Sequence, residues 1–322
     1  MKYNKMAGAG LTVSQFCLGT MTFGDQVNEQ DALRIMDYVY EQGGNFIDTA
    51  NAYTGGESER IVGKGLKGRR DQIILATKVF CEMGKGLNER GTSRHQIIEQ
   101  ANASLKRLDT DYIDIYYLHE YDYKTPLEET MEAINTLLKS GKIRYIGVSN
   151  FAAWQIADAL AICDKRNYSP PVITENLYNM VTRSIENEFT SFLKEHPMSM
   201  VVYNPLAGGF LTGKHKRGEP TKNTRFDNNQ LYIDRYWHDS FFDAIEVFKE
   251  LAKEEGISLV QLSMKWLSQQ PYVTSVISGI SKYEHIMQNL DALNGDPLSA
   301  DTLKKCDESW RVLAGPTVKY NR

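Results

Sequence analysis

Short apolar runs rich in β-branched and aromatic residues alternate with longer amphipathic stretches along the chain of 322 residues. Eight such runs can be counted, and a stretch with apolar residues at helical spacing follows each of them. The runs are residues 16–20, 46–50, 73–78, 113–119, 145–150, 172–177, 200–204 and 273–280. Near-continuous apolar strands separated by helices are typical of parallel sheets that are covered on their faces. The pattern therefore predicts eight parallel βα units.

Several helix boundaries can also be predicted from single residues. Ser93 and Pro126 stand where helices are expected to begin, because a serine side chain caps free amides and proline fits the first turn. Gly43, Gly141 and Gly256 stand where left-handed caps are expected to end helices. These signals agree with the hydrophobic periodicity.

No Ser/Pro-rich linker or break in composition divides the chain, so we expect residues 1–322 to form one domain. Two segments depart from the βα rhythm, namely a long loop at about residues 206–239 and a tail at about residues 297–322. Loops this long inside a compact domain are usually functional or mobile. We expect residues 206–239 to cover a ligand, although a surface loop without a function remains the alternative.

Eight βα units can close into a barrel or lie in an open doubly wound sheet. The open sheet should carry a dinucleotide-binding fingerprint between a strand and a helix. The only match to GxGxxG, residues 63–68, follows a helical stretch rather than a strand, so a glycine-rich helix end explains it better. We therefore expect an α/β fold of the (β/α)8 TIM barrel type.

Composition excludes several classes of partner. Hydrophobic residues make up 42% of the chain and charged residues 24%, which is enough for a sizeable core. The net charge of −4 is spread along the chain, so no nucleic-acid partner is implied, and no apolar run is long enough to span a membrane. The four cysteines show no metal-binding spacing and are expected to be reduced thiols of a cytoplasmic protein. The sequence leaves the oligomeric state open.

Polar residues stand at the ends of three apolar strands, where a barrel places its reactive groups. They are Asp48, Lys78 and His119, and Tyr53 follows Asp48 in the next loop. A lysine beside a tyrosine could lower the tyrosine pKa by about 1 to 3, which would make it a usable general acid. His119 could orient a carbonyl oxygen. The alternatives are a structural histidine and an Asp–Lys pair that only satisfies its own charges.

Motifs spread over nearly the whole chain resemble those of the aldo-keto reductase family. They are LGTMTFG at residues 18–24, FIDTA at 46–50, GGESE at 55–59, ATK at 76–78, LH at 118–119 and GVSNF at 147–151. The resemblance implies a catalytic tetrad formed by Asp48, Tyr53, Lys78 and His119. It also implies an NAD(P)H cofactor that is bound across the barrel mouth without a Rossmann domain.

The same resemblance suggests which residues contact the cofactor. In the first half of the chain, these are Gly19, Thr20, Met21, Asp48, Ser149, Asn150 and Glu175. In the second half, they are Tyr203, Asn204, Pro205, Leu206, Gly208, Lys214, Arg225, Gly279, Ser281, Lys282, His285, Gln288 and Asn289. No metal is implied. Ser281 and Lys282 are candidates for the 2′-phosphate, which favours NADP(H) over NAD(H).

Two positions depart from the family's pattern. His285 stands where many relatives have Gln or Arg, which leaves the choice between NADPH and NADH open. Glu175 stands where the family usually has Gln against the nicotinamide carboxamide. An ionised Glu accepts hydrogen bonds but donates none. Glu175 either contacts the carboxamide or pairs with a neighbouring cation.

The resemblance implies reversible reduction of an aldehyde or ketone to an alcohol, with Tyr53 as the proton donor. The partner is then a small-molecule carbonyl substrate whose identity the sequence does not define. The alternative is a nucleotide-sensing binding subunit such as the potassium-channel beta subunits, which resemble this family. The presence of all four tetrad residues, including His119, favours the enzyme.

Overall fold

Ten strands appear in the computed structural model of the chain, which describes residues 1–222, 224–227 and 229–316. Within these ranges the strands have the following bounds: β1 (Tyr3–Lys5), β2 (Thr12–Ser14), β3 (Phe16–Gly19), β4 (Phe46–Asp48), β5 (Ile74–Val79), β6 (Ile113–Leu118), β7 (Ile143–Ser149), β8 (Ile173–Leu177), β9 (Ser199–Tyr203) and β10 (Val273–Gly279). Strands β3 to β10 close into a barrel in chain order, with β10 beside β3. Every neighbouring pair in the barrel is parallel.

Helices follow the barrel strands and cover the outside of the barrel. Their bounds are α1 (Glu29–Glu41), α2 (Glu57–Gly65), α3 (Arg94–Leu108), α4 (Leu127–Lys139), α5 (Ala153–Arg166), α6 (Phe189–Glu195), α7 (Gln230–Tyr236), α8 (Asp239–Glu254), α9 (Leu259–Ser268), α10 (Tyr283–Asn294) and α11 (Ala300–Ala314). The predicted (β/α)8 TIM barrel is confirmed. All eight predicted strands are present, and their ends differ from the prediction by at most two residues.

The predicted caps are found in the structure. Ser93 accepts a hydrogen bond from the amide of Gln96 at the start of α3, and Pro126 precedes the first residue of α4. Gly43, Gly141 and Gly256 all have positive φ, as left-handed caps require. These residues fix the points at which the chain turns back toward the barrel.

A short antiparallel hairpin of β1 and β2 precedes the barrel and was missed by the sequence analysis. The hairpin places Met6 and Val13 in one apolar cluster with residues of the barrel interior such as Phe46, Ala76 and Tyr117. The amide of Ala7 donates to Ser199 Oγ at the start of β9. The hairpin therefore closes the amino-terminal end of the barrel, and the mouth at the other end stays available.

Residues 206–239 are more ordered than a loop. A 3-10 turn spans Ala207–Thr212 and is followed later by α7. Asn223 and Asn228, which fall in this predicted loop, lie outside the described residues. Aromatic rings pack Phe210 against Phe226 and Trp237, and these contacts tie the segment together.

The predicted tail at residues 297–322 also begins as a helix, α11, and residues 317–322 lie outside the described part. Ser299 caps this helix by accepting from the amide of Thr302. Thr302 and Cys306, four residues apart, are its buried residues, and the helix packs on α8. The sequence pattern did not predict α11 because this narrow stripe carries few large apolar residues.

The GxGxxG match lies at the end of a helix and not between a strand and a helix. This is the position that the sequence predicted. Gly63 and Gly65 belong to the last turns of α2. A Cβ atom on Gly63 would lie 2.6 Å from the carbonyl oxygen of Leu108 at the end of α3. The glycine therefore permits close packing of two helices and has no phosphate-binding geometry.

Candidate active site

Five polar side chains lie two positions beyond a layer of apolar residues in the barrel interior. Side chains alternate between the two faces of a strand, so a residue two positions after an inward residue also points inward. Phe46, Ala76, Tyr117, Ile173 and Val201 form the apolar layer. The polar layer above it comprises Asp48, Lys78, His119, Glu175 and Tyr203. The period of the strands thus brings these groups together at the carboxyl ends of the strands.

Lys78 is the centre of this layer and is fully buried. Its Nζ donates a hydrogen bond to Asp48, and a second one to the backbone oxygen of Thr49 at 3.1 Å. Nζ also lies 3.4 Å from the hydroxyl of Tyr53. Burial lowers the pKa of Lys78, but the surrounding carboxyl groups and Tyr53 together raise it well above its usual value. Lys78 is therefore a cation.

Tyr53 begins a 3-10 turn, Tyr53–Gly56, in the loop that follows β4. Gly56 ends this turn with φ +91°, and a Cβ atom there would lie 2.8 Å from Cδ of Arg107. Arg107 in turn donates from Nε to the fully buried Glu59 at 2.6 Å. This buried ion pair between α2 and α3 holds the turn that presents Tyr53 to Lys78.

The expected lowering of the Tyr53 pKa is not the net result in the structure. Burial raises the pKa of Tyr53 well above its usual value, and Lys78 offsets only part of this effect. Asp48 and Glu175 raise it further. Tyr53 is therefore a firmly protonated phenol, and the expectation was wrong because it counted the ammonium charge and neglected desolvation.

His119 follows β6, and its amide donates to the oxygen of Val79 at 2.9 Å. Its ring stands edge-on to Tyr53, with centroids 6.1 Å apart. Burial, assisted by the charge of Lys78, lowers the pKa of His119 to about 3. The thiol of Cys81 lies 3.7 Å from Nδ1. His119 is thus a neutral imidazole beside the phenol.

Glu175 lies in β8 and is 4% exposed. Its Oε2 makes an ion-pair contact with Lys78 Nζ at 3.4 Å. Glu175 thus lies beside a cation, which is the kind of neighbour that one of the two alternatives from the sequence requires. Burial raises the pKa of Glu175 to about 8, and the charge of Asp48 adds to this effect. A buried second carboxyl group beside the Asp–Lys pair was not expected.

The residues expected to contact the cofactor from β3 surround the carboxyl end of that strand. Gly19 pairs with Asp48 and Gly279 in the neighbouring strands. The amide and hydroxyl of Thr20 both donate to the backbone oxygen of Asp48 at 3.0 Å. Met21 is 43% exposed. Thr20 therefore holds Asp48 in place, and Met21 offers its side chain to the mouth.

At the ends of β7 and β9, three residues form one hydrogen-bonded group. Asn150 has φ +59°, and its Nδ2 donates to Ser149 Oγ and to the backbone oxygen of His119, both at 3.0 Å. The hydroxyl of Tyr203 donates to Asn150 Oδ1 at 2.8 Å. This left-handed backbone is costly for a residue other than glycine, and such residues often lie in functional sites.

The segment after β9 leads from the barrel into the 3-10 turn. Pro205 is buried and Leu206 is half-buried at its start. Asn204 has φ +62°, and its Oδ1 accepts from the amide of Gly208 at 2.7 Å. A Cβ atom on Gly208 would lie 2.6 Å from the ring of Tyr232, so only glycine fits. Gly208 therefore packs closely against Tyr232 within this segment.

Two cations expected at the pyrophosphate lie on the same segment. Lys214 is exposed, and Arg225 is half-buried with its guanidinium 5.4 Å from the ring centre of Tyr232. Neither side chain forms an ion pair shorter than 4.0 Å within the described part of the chain. Lys214 is therefore open to an anion, whereas the guanidinium of Arg225 also donates to the Tyr232 hydroxyl at 3.5 Å.

The segment after β10 carries the residues expected at the adenosine end. Gly279, Ser281 and Lys282 are exposed, and Ser281 Oγ lies 3.5 Å from His285 Nδ1. Partial burial and the cations Lys282 and Lys214 lower the pKa of His285. Lys214 and Lys282 belong to different segments, and both lie close enough to His285 to affect its pKa.

Gln288 and Asn289, the last two residues expected to contact the cofactor, differ in exposure. Gln288 is exposed on α10. Asn289 is 3% exposed, and its Nδ2 donates to Ser278 Oγ of β10 at 2.8 Å. The side chain of Asn289 thus fixes α10 to the barrel, and Gln288 faces outward.

Two residues at the site were missed by the sequence analysis. Cys81 contacts His119, and the hydroxyl of Ser58 lies 2.9 Å from Thr20 Oγ1 and 3.0 Å from Thr49 Oγ1. Ser58 could have been found, since it lies in the GGESE motif. Cys81 carried no signal of its own because it lies in a loop beyond the strand.

The structure contains neither a metal cluster nor a membrane span in the residues that it describes. No group of three His, Cys, Asp or Glu residues could hold a metal ion there. No helix among residues 1–222, 224–227 and 229–316 is long and apolar enough to cross a membrane. The polar chemistry at the mouth comes instead from a phenol, an ammonium group, carboxyl groups and an imidazole.

A closed parallel barrel with these groups at its mouth is the arrangement of a barrel oxidoreductase that acts on carbonyl groups. Residues 15–311 match the aldo/keto reductase family. The chain therefore belongs to this family and is an NAD(P)H-dependent oxidoreductase. The resemblance seen in the sequence motifs is confirmed.

Curated relatives cover nearly the whole chain. A probable voltage-gated potassium channel subunit beta of Arabidopsis thaliana is 35% identical over 92% of this chain and 93% of its own length. An uncharacterized oxidoreductase of Bacillus subtilis is 35% identical over 91% of both chains. Aflatoxin B1 aldehyde reductase member 2 of Mus musculus is 32% identical over 95% of this chain and 87% of its own.

Proposed function

We propose that this protein reduces an aldehyde or ketone to an alcohol with NADPH, using Tyr53 as the proton donor. The observation that carries the proposal is the position of Lys78, whose Nζ hydrogen-bonds Asp48 and lies 3.4 Å from the Tyr53 hydroxyl. A cation at this distance stabilises the phenolate that remains when the tyrosine has given up its proton. Asp48 holds the cation in place.

When bound, NADPH supplies the hydride for the carbonyl carbon. Tyr53 gives its proton to the carbonyl oxygen, and Lys78 stabilises the resulting phenolate. His119 is neutral, so it donates a hydrogen bond to the carbonyl oxygen without delivering a full positive charge. The high pKa of Tyr53 keeps its proton in place until negative charge develops on that oxygen. Tyr53 and His119 thus act on the carbonyl oxygen of the substrate, and Lys78 acts on Tyr53.

The residues at the mouth fit a dinucleotide with several phosphates. Lys214, Arg225 and Lys282 are cations without a close ion-pair partner in the described residues, and two of them lower the pKa of His285. Gly208 and Gly209 have φ of +68° and +99°, and neither carries a side chain that would obstruct a phosphate beside this backbone. Lys282 and Ser281 would bind the 2′-phosphate, which supports NADPH over NADH. Residues 206–239 would cover the pyrophosphate.

The four cysteines in the described residues are free thiols. This supports a reducing compartment, and we infer the cytoplasm. The substrate class remains an aldehyde or a ketone of small size. One relative is named an aflatoxin B1 aldehyde reductase, which supports an aldehyde as the first compound to be tested.

Replacement of Tyr53 by Phe tests the mechanism. Tyr53→Phe removes the hydroxyl and leaves the ring, so NADPH should still bind while kcat for an aromatic aldehyde falls on the order of 10²- to 10⁴-fold. NADPH absorbance follows turnover, and quenching of protein fluorescence follows binding. Equal rates in the variant and the wild type would exclude Tyr53 as the proton donor.

A second candidate function is a nucleotide-sensing binding subunit. It is favoured by the relative of Arabidopsis thaliana that is named a probable potassium channel subunit beta. A single-turnover measurement with bound NADPH and a panel of aldehydes separates the two candidates. A sensor should oxidise its cofactor far more slowly than an enzyme with His119 in place, and His119→Asn should then leave that slow rate unchanged.

A further inference from the structure

Two buried carboxyl groups share one ammonium group in the barrel. Lys78 hydrogen-bonds Asp48, and its Nζ lies 3.4 Å from Glu175 Oε2. Asp48 is 2% exposed, and Glu175 is 4% exposed. Bulk solvent therefore does not stabilise the charge of either carboxyl group.

The hydrogen bonds around these carboxyl groups leave two oxygen atoms without a donor. In the described residues, Asp48 Oδ2 and Glu175 Oε2 are both buried and both lack one. The two carboxyl groups contact the same ammonium group of Lys78 and lie close enough for the charge of Asp48 to raise the pKa of Glu175. Two ionised carboxylates cannot bond to each other, because both only accept. One proton between them would give both oxygen atoms a partner.

The charges around Glu175 lead to the same conclusion. Lys78 is the cation whose charge affects the pKa of Glu175. Two carboxylates beside one ammonium ion would leave an uncompensated negative charge in the barrel, which is costly. The other titratable groups facing Glu175 are protonated phenols and a thiol, whose pKa values burial raises. They are Cys17, Tyr53, Tyr117 and Tyr203.

We propose that Glu175 is a positioning residue that works as a protonated carboxylic acid and donates a hydrogen bond to Asp48. Asp48 is then the single carboxylate that balances Lys78. This inference rests on the proposed function, because its effect on turnover passes through Tyr53. An ionised Glu175 would add negative charge, raise the Tyr53 pKa and weaken it as a proton donor.

This role has a defined pH dependence. Burial raises the pKa of Glu175 to about 8, so the group is protonated below that pH and ionises above it. Carbonyl reduction should therefore slow as the pH rises through about 8 and then level off at the lower rate of the ionised form. Glu175→Gln cannot ionise and keeps an N–H donor toward Asp48. This variant should lose that basic limb of the profile.

The first experiment compares kcat and kcat/KM between about pH 6 and 10 for three proteins. They are the wild type, Glu175→Gln and the control Glu128→Gln, which changes an exposed carboxyl group on α4. The control should follow the wild type, and Glu175→Gln should stay flat above pH 8. The proposal is overturned if Glu175→Gln declines with the same midpoint as the wild type.

A second measurement does not depend on turnover. Infrared spectra of the protein without cofactor should show the carbonyl band of a buried carboxylic acid, which disappears as the pH rises through about 8. The band should be absent in Glu175→Gln and present in Glu128→Gln. Its absence from the wild type at pH 6 would overturn the proposal even if the enzyme reduces aldehydes. A band without any turnover would instead count against the proposed function.

Discussion

The sulfur atom of Cys81 lies 3.7 Å from Nδ1 of His119. Burial raises the pKa of the Cys81 thiol, and burial lowers the pKa of His119 to about 3, so a neutral thiol faces a neutral imidazole. A thiol that donates to Nδ1 leaves the ring proton on Nε2. Nε2 is then the nitrogen that donates to a substrate carbonyl.

Cys81→Ala should therefore weaken reduction by removing the group that fixes this tautomer. A single neutral hydrogen bond is worth about 1 kcal/mol, so we expect kcat to fall about fivefold with little change in KM. Cys81→Ser restores a donor and should recover most of the loss. Nitrogen-15 NMR of His119 reports the tautomer directly. Cys163→Ala, at a buried thiol on α5, is the control, and an equal loss there would refute the role of Cys81.

Much of this site could be predicted because strand periodicity is a strong signal. Asp48 and Lys78 end apolar strands, and His119 follows one, so alternation alone places their side chains inside the barrel. Cys81 was not predicted, since the path of a loop beyond a strand depends on contacts that no local pattern encodes. The contact of Glu175 with Lys78 joins strands that are not neighbours, and its geometry depends on barrel closure.

The fold was predictable to a similar degree. The eight βα units could be predicted because apolar strands and amphipathic helices have distinct hydrophobic periods. The absence of a dinucleotide-binding fingerprint then favoured a closed barrel over an open sheet. The β1–β2 hairpin was missed because each of its strands has three residues, too few to show alternation. The predicted direction of the Tyr53 pKa shift was wrong because burial dominates the shift, and the degree of burial depends on the folded structure.

Loss of the buried ammonium group should destabilise the protein strongly. Lys78→Met keeps the length of the side chain but leaves Asp48 without its cation, which should cost about 3–5 kcal/mol in the free energy of unfolding. Urea denaturation at pH 7 measures this loss. The matched control is Lys64→Met, whose exposed pair with Glu29 should contribute about 0–1 kcal/mol. Similar losses in both variants would show that Lys78 has no special structural role.

Lys282 and Lys214 should have separable effects on the cofactor. Lys282→Ala removes the proposed contact with the 2′-phosphate, so the KM for NADPH should rise about tenfold while the KM for NADH stays unchanged. Lys214→Ala removes the proposed contact with the pyrophosphate and should raise both values. Steady-state kinetics with both cofactors measures the difference. A parallel rise for NADPH and NADH in Lys282→Ala would contradict this assignment.

His215 should make the segment at residues 206–239 sensitive to acid. The side chain is 5% exposed and packs edge-on to Phe226 and Trp237, with ring centroids 4.9 and 5.3 Å away. Its Nδ1 lies 3.0 Å from Thr221 Oγ1. Burial, with a contribution from the charge of Lys214, lowers the pKa of His215 to about 4. The folded protein therefore disfavours the protonated form of His215, and acid should destabilise this segment.

An unfolded histidine takes up its proton near pH 6.5, whereas His215 in the folded protein does so only near pH 4. Stability contributed by the neutral side chain is therefore complete above about pH 6.5 and is lost as the pH falls toward 4. His215→Phe cannot be protonated, so its melting temperature should drop less than that of the wild type between pH 7 and 5. His95→Phe, at an exposed position on α3, should follow the wild type. If His215→Phe loses as much stability as the wild type over this range, the acid sensitivity originates elsewhere.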